Sequence, residues 1–239
     1  MEETKLFWIS ANKYEHTFPP ISEALTDPDG LLAAGGDLSI ERLLEAYRHG
    51  IFPWYNHTQP VLWWSPDPRT VLYPGHAHVS RSLKKTLNKN IFTITFDQAF
   101  SKVITECSAP RGDGHGTWLT TEMIDAYINL HQNNHAHSVE CWQDDKLVGG
   151  LYGVSVGRVF FGESMFSRVT NASKVCLVKL SDYLKEWNYD LIDCQVESDH
   201  LGRMGAEQIS REKFAHQLDQ SCPKKPATKS WLKQIKTGL

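Results

Sequence analysis

The chain has 239 residues, 41% hydrophobic and 11% aromatic, with a formal net charge of −3. That content can build a packed core and excludes wholesale disorder. The charge excludes a uniformly basic nucleic-acid binder but leaves room for a local basic patch.

In chain order, residues 1–67 read as a compact, turn-rich unit. Pro, Gly and Asp turn signals crowd "FPPISEALTDPDGLLAAGGDLS". A helix from Ser39 to about Tyr47 puts Ile40, Leu43, Leu44 and Tyr47 on one face, and Gly50 ends it. The prolines of "SPDP" divide a small N-terminal domain, 1–67, from a larger one, 68–239. Ser80 caps a short helix over 80–90, whose Arg81, Lys84 and Lys85 form one basic face. Such a face can meet phosphates, although alone it is more often simply solvated. Trp54, Trp63 and Trp64 can stack on bases, although each singly fits a core better. Residues 91–97 form a strand, and Asp97 caps a helix carrying Phe100, Val103 and Ile104. A loop over 108–116 precedes a helix from Thr121 with Met123, Ala126, Tyr127 and Leu130 inward.

Three strands follow as an antiparallel meander, 137–143, 146–154 and 158–166, turning at Asp144–Asp145 and near Gly157. Asn171 opens an amphipathic helix with Cys176, Leu180, Tyr183 and Trp187 at helical spacing, flanked by Leu177 and Leu184. It returns directly to a strand, "LIDCQV", parallel to its neighbour. The fold expected is mixed α/β (α+β): a small N-terminal domain, then a mixed-sheet domain of the N-acetyltransferase (GNAT) type. The tail from Cys222 is basic and is expected to be loosely held. The five cysteines, Cys107, Cys141, Cys176, Cys194 and Cys222, show no CxxC spacing, and their odd count fits a reducing compartment. The opening "MEETKLFWIS" lacks the apolar segment of a signal peptide, and no run reaches the roughly 18 apolar residues of a membrane span. A cytoplasmic protein without membrane contact is expected.

Two carboxylates interrupt apolar strands: Asp193 in "LIDCQV" and Glu163 in "RVFFGESMFS". Strict alternation places Asp193 and Gln195 on one face, about 6.5–7 Å apart, and Glu163 with Phe161 and Met165 unless Gly162 supports a bulge. A buried carboxylate costs several kcal/mol, on the order of, unless paired. One such residue reads as half of a structural ion pair; two beside one crossover helix point to a site. Metal is not expected, because "HAH" at 76–78 and 135–137 and the lone His115 present no convincing i, i+4 pair. The junction "SMFSRVTNASKV" holds no glycine, so it offers no cradle for the pyrophosphate of coenzyme A. That counts against a GNAT-type acyl-CoA N-acyltransferase. A non-catalytic tRNA-binding module would explain the basic face but not the polar pair.

The segments "GLLAAGGDLSIERLLEAYRHGIFPWY", "WWSPDPR", "GTWLT", "HSVECW", "LVGGLYGV", "FGESMFSR", "NASK" and "LIDCQV", in this order, resemble the leucyl/phenylalanyl-tRNA–protein transferase family from about residue 18 to about 215. The resemblance implies a cytoplasmic enzyme, without metal or coenzyme A, that moves leucine or phenylalanine from aminoacyl-tRNA to proteins beginning with Arg or Lys. The products enter N-end-rule degradation. By the same resemblance Asp193 and Gln195 are the central polar, catalytic pair and Glu163 is the pocket carboxylate. Leu151, Phe160, Leu177, Leu180 and Leu184 line a slot for the transferred side chain, which should take methionine less well. Trp54 and Trp118 flank the terminal adenosine, and Arg81 and Lys85, with Lys84 beside them, meet the tRNA acceptor stem.

Overall fold

The turn-rich opening folds into a four-stranded sheet. In the computed structural model, which describes residues 6–10, 17–109, 119–228 and 230–236, its strands are β1 (Phe7–Ile9), β2 (Leu31–Gly35), β3 (Phe52–Pro53) and β4 (Leu62–Trp64). They lie in the order β1-β2-β4-β3, and helix α1 (Ile40–Arg48) links β2 to β3. Trp63 is fully buried and donates its indole N–H to the Gly35 carbonyl at 2.9 Å, so it belongs to the core and is not a base-stacking platform.

The rest of the chain builds an eight-stranded mixed sheet. Its elements are β5 (Arg69–Leu72), α2 (Arg81–Asn88), β6 (Thr93–Phe96), α3 (Phe100–Ser108), α4 (Thr121–Gln132), β7 (Ala136–Gln143), β8 (Lys146–Val156) and β9 (Val159–Ser167). There follow α5 (Ala172–Glu186), β10 (Leu191–Asp193), α6 (Asp199–Arg203), β11 (Glu207–Ile209), α7 (Arg211–Ser221) and β12 (Lys233–Lys236). The strand order is β11-β5-β10-β9-β8-β7-β6-β12. The expected meander is β7-β8-β9, and β10 runs parallel to β9.

Period-two alternation sends neighbouring side chains into two cores. Tyr152, Phe161 and Leu191 pack with α1, α3, α4, α7 and the N-terminal sheet in one continuous cluster. Leu151, Phe160 and Ile192 pack on the opposite face with α2 and α5. A bulge interrupts β9: Tyr152 pairs with Ser164 but Gly153 with Gly162, leaving Glu163 as the extra residue. Glu163 therefore stays near Phe161, while Met165 crosses to face Leu151 and does not share the Glu163 side, as strict alternation had it.

Two further expectations change. Asp97 does not cap α3. It adopts φ +56°, accepts the Ser138 N–H at 2.9 Å and meets His137 Nδ1 at 2.7 Å. The free amides before α3, those of Gln98 and Ala99, point instead at the buried Glu140 carboxylate. The described part of the basic tail is docked: β12 pairs with β6 along its length and Trp231 is buried. Among the described residues, no helix is long and apolar enough to cross a membrane.

Candidate active site

A cavity of about 610 Å³ opens where β8, β9 and β10 meet the start of α5. Its apolar wall is Leu151, Phe160, Leu177, Leu180 and Ile192. Leu177 and Leu180 lie three residues apart on α5, so both face the same way. Leu184 continues their stripe about 6 Å further along the axis. It is fully buried in the core and does not reach the cavity, contrary to its expected place in the slot. Phe52, Pro53 and Trp54 form the rim from the N-terminal sheet; Trp54 is 45% exposed and stands 5.6 Å from Trp64. Trp118, with most of the loop expected over 108–116, lies outside the described residues.

Asp193 ends β10 and is among the residues that line the cavity, but its carboxylate is engaged by a buried cation. It is fully buried and takes both arms of Arg69, Nε at 2.8 Å and Nη2 at 2.7 Å. The guanidinium is itself sandwiched between the rings of Phe52 and Phe214, at 4.8 and 4.7 Å. Two desolvated charges are tolerable only in such bidentate, stacked geometry. Asp193 Oδ1 also accepts the Gln195 N–H at 2.9 Å, which holds Gln195 at φ +62°. The strand is thus broken after Asp193, and Gln195 is not its alternate neighbour. Its Nε2 donates to Glu163 Oε1 at 3.1 Å.

Glu163 sits at the polar end of the slot, 9% exposed. Tyr47 of α1 donates to Oε1 at 2.7 Å and Tyr127 of α4 to Oε2 at 2.9 Å, while the two phenol oxygens are 2.6 Å apart. Burial first, then the Glu163 charge, raises both phenols well above their ordinary range, so they stay protonated. The three short contacts of this triangle need three protons, and two phenols supply two. The third is present only when Glu163 is a carboxylic acid that donates to one phenol, whose own proton then lies between the two phenol oxygens. Desolvation pushes Glu163 up to about 7, against the phenol hydrogen bonds that lower it. It therefore exchanges a proton near neutrality, as a general acid–base group must.

The other sequence-selected residues fall around this centre. Arg81, Lys84 and Lys85 are all exposed on α2, whose Leu83 and Leu87 face inward. Thr86 of that helix accepts from Asn171, the residue just before α5, at 2.9 Å, which ties α2 to the start of α5. Among the cavity-lining residues, Ser164 Oγ and His200 Nε2 are buried without a protein partner among the described residues. Among the described residues no group of three or more His, Cys, Asp or Glu is placed to hold a metal ion.

Two matches now place the chain. The family described as leucyl/phenylalanyl-tRNA protein transferase matches residues 71–219, and the N-terminal domain of the same family matches 36–67. The chain belongs to the leucyl/phenylalanyl-tRNA–protein transferase family. Relatives of that name are 55% identical in Pseudomonas syringae pv. tomato and 56% in Pseudomonas fluorescens, over 89% of this chain and 92% and 93% of theirs. One in Ectopseudomonas mendocina is 53% identical over 95% of this chain and 99% of its own. Among solved structures, L-PGS from Bacillus licheniformis aligns at TM-score 0.39 and 11% identity over 70% of this chain and 53% of that one. Membership makes the chain an aminoacyltransferase and sets aside the acyl-CoA and non-catalytic readings.

Sequence reasoning missed Arg69, Tyr47 and Tyr127. The signal for Arg69 was the cost of Asp193 itself: a carboxylate in an apolar strand demands a cation, and "SPDPR" carries one. Both tyrosines fall on inward-facing helix positions, but a buried phenol also needs a polar partner.

Proposed function

We propose that the cavity transfers leucine or phenylalanine, and methionine less well, from the 3′ end of aminoacyl-tRNA to the α-amine of proteins beginning with Arg or Lys. The products are marked for N-end-rule degradation, and the enzyme works in the cytoplasm. The carrying observation is an apolar slot that ends at a carboxylate poised near neutrality. The aminoacyl side chain lies along Leu151, Phe160, Leu177 and Leu180, which places its ester carbonyl beside Glu163 and Gln195. The rim around Trp54 takes the terminal adenosine, and the smaller domain, 1–67, contributes that rim and Tyr47.

An aminoacyl ester is already activated, so alignment does most of the work; it removes roughly 7–11 kcal/mol at best. The amine nitrogen attacks the carbonyl carbon, the carbon–oxygen ester bond breaks, and the departing 3′-oxygen needs a proton. Glu163 takes that proton from the attacking amine and delivers it to the 3′-oxygen. Gln195 holds the Glu163 carboxylate in place, and Asp193 with Arg69 holds Gln195. The negative charge of ionised Glu163 also favours a cationic first residue. Glu163 is thus assigned the proton transfer and Asp193 a positioning role.

Label transfer from Leu-tRNA to a peptide starting with Arg tests the reading. The expected result is product with Arg- and Lys-initial peptides and none when acetyl-CoA is the donor. Equal labelling of an Ala-initial peptide would sink the assignment of the acceptor. A second outcome concerns the donor. Arg81→Ala combined with Lys85→Ala should weaken tRNA binding and flatten its log–log salt slope by up to about two. An unchanged slope removes this face from the tRNA footprint.

A further inference from the structure

The segment that ends in β12 lies beyond the two family matches, which cover 36–67 and 71–219. Trp231, two residues before that strand, is 7% exposed. Its indole stacks on His137 at 4.1 Å and 3°, and His137 is pinned by Asp97 at 2.7 Å. It stands edge-on to Trp187 at 4.9 Å and to Tyr189 at 6.0 Å. It also lies against Phe160, centroids 5.6 Å apart and planes at 30°. Of these neighbours Phe160 alone lines the cavity. The far edge of the Phe160 ring is 2.7 Å from where a Cβ on Gly153 would stand, so that side of the ring meets bare backbone. With β8 against its edge and Trp231 against its face, the ring has one position.

We infer that Trp231 is a positioning residue for side-chain selection: the C-terminal strand carries it in behind Phe160, and it thereby sets the depth of the slot. The inference rests on the reading of that slot as the aminoacyl pocket. Packed interiors transmit such displacements because neighbouring side chains interlock. Without the indole, Phe160 settles back into the vacated space and the slot deepens. Leucine then leaves a larger void than phenylalanine does, so transfer shifts toward phenylalanine.

The test is competition between Leu-tRNA and Phe-tRNA on one Arg-initial peptide, a ratio that does not depend on how much enzyme is active. Trp231→Ala should raise the Phe:Leu ratio about fivefold or more, and Trp231→Phe, which keeps a flat ring, should hold it within about twofold of wild type. In a Phe160→Leu background, Trp231→Ala should shift the ratio no further, because its effect runs through that ring. If Trp231→Ala does not fold, Trp231→Leu carries the same comparison. A ratio unchanged while both transfers fall together makes Trp231 merely structural and overturns the inference. An equal shift in both backgrounds overturns it too. Leu180→Ala in the same assay separates the two readings. If it shifts the ratio and Trp231→Ala does not, only the Trp231 inference fails; if neither shifts it, the slot assignment fails with it.

Discussion

Glu163→Gln should fold, and its transfer activity should fall by about 100-fold or more in kcat/KM, the scale of a lost general base. The amide keeps the shape of the carboxylate and one acceptor for the phenols of Tyr47 and Tyr127, but it cannot receive a proton. In the wild type, kcat/KM should rise with pH as Glu163 ionises, through about 7. Stability should move the opposite way. The folded state raises this group from an ordinary 4.5 to about 7, so it binds the proton more tightly than the unfolded chain does. The resulting stabilisation is fully present below about pH 4.5 and is lost as pH rises through 7, on the order of 3 kcal/mol in all. Glu163→Gln removes that pH dependence. At pH 8 the variant should melt no lower than the wild type while remaining inactive. Thermal melts at pH 5 and 8, read beside a kcat/KM profile, check both halves. A variant within tenfold of wild-type kcat/KM at pH 7.5 would show that Glu163 does not carry the proton.

The same residues show what a one-dimensional reading reaches. The β7-β8-β9 meander was legible because its strands alternate or run apolar and turn at Asp144–Asp145, which take φ of +49° and +59°. The slot was legible because Leu177 and Leu180 share a helical face and Leu151 and Phe160 share a strand face. Leu184 misled for the same reason: helical periodicity reports a face, not how far along the helix the cavity extends. Alternation failed at Gln195, whose N–H donates to the Asp193 carboxylate and whose backbone takes φ +62°, so its side chain leaves the period-two pattern. The partners of Glu163 were not legible at all. Tyr47 and Tyr127 lie 116 and 36 residues from it, and nothing local distinguishes a phenol that donates to a carboxylate from one that fills a core. The tail misled by composition. Its lysines read as a solvated extension, whereas one aromatic residue, Trp231, decides where it docks.

Asp193→Ala should cost about 3–5 kcal/mol of stability, because it leaves the Arg69 guanidinium buried without its counter-charge. In a chain of this size that lowers Tm on the order of 10 °C. Replacing both partners by apolar residues, Arg69→Met with Asp193→Leu, removes the stranded charge and should restore most of the lost Tm. It should not restore transfer. Gln195 loses the acceptor that holds its N–H, nothing then stabilises its left-handed turn, and its Nε2 no longer holds Glu163. Misplacement of a reacting group by about 1 Å costs on the order of 100-fold, and kcat/KM of the paired variant should stay down by that factor. Asp193→Asn separates geometry from charge. Its side-chain oxygen still accepts from Gln195, but it cannot take a proton and does not neutralise Arg69. Below its lowered Tm it should therefore retain more activity than the apolar pair does. If Asp193 itself were the base, Asp193→Asn would be as inactive as the apolar pair. If the apolar pair recovered both Tm and kcat/KM, the ion pair would be scaffold alone, and the path from Arg69 through Asp193 and Gln195 to Glu163 would have no part in transfer.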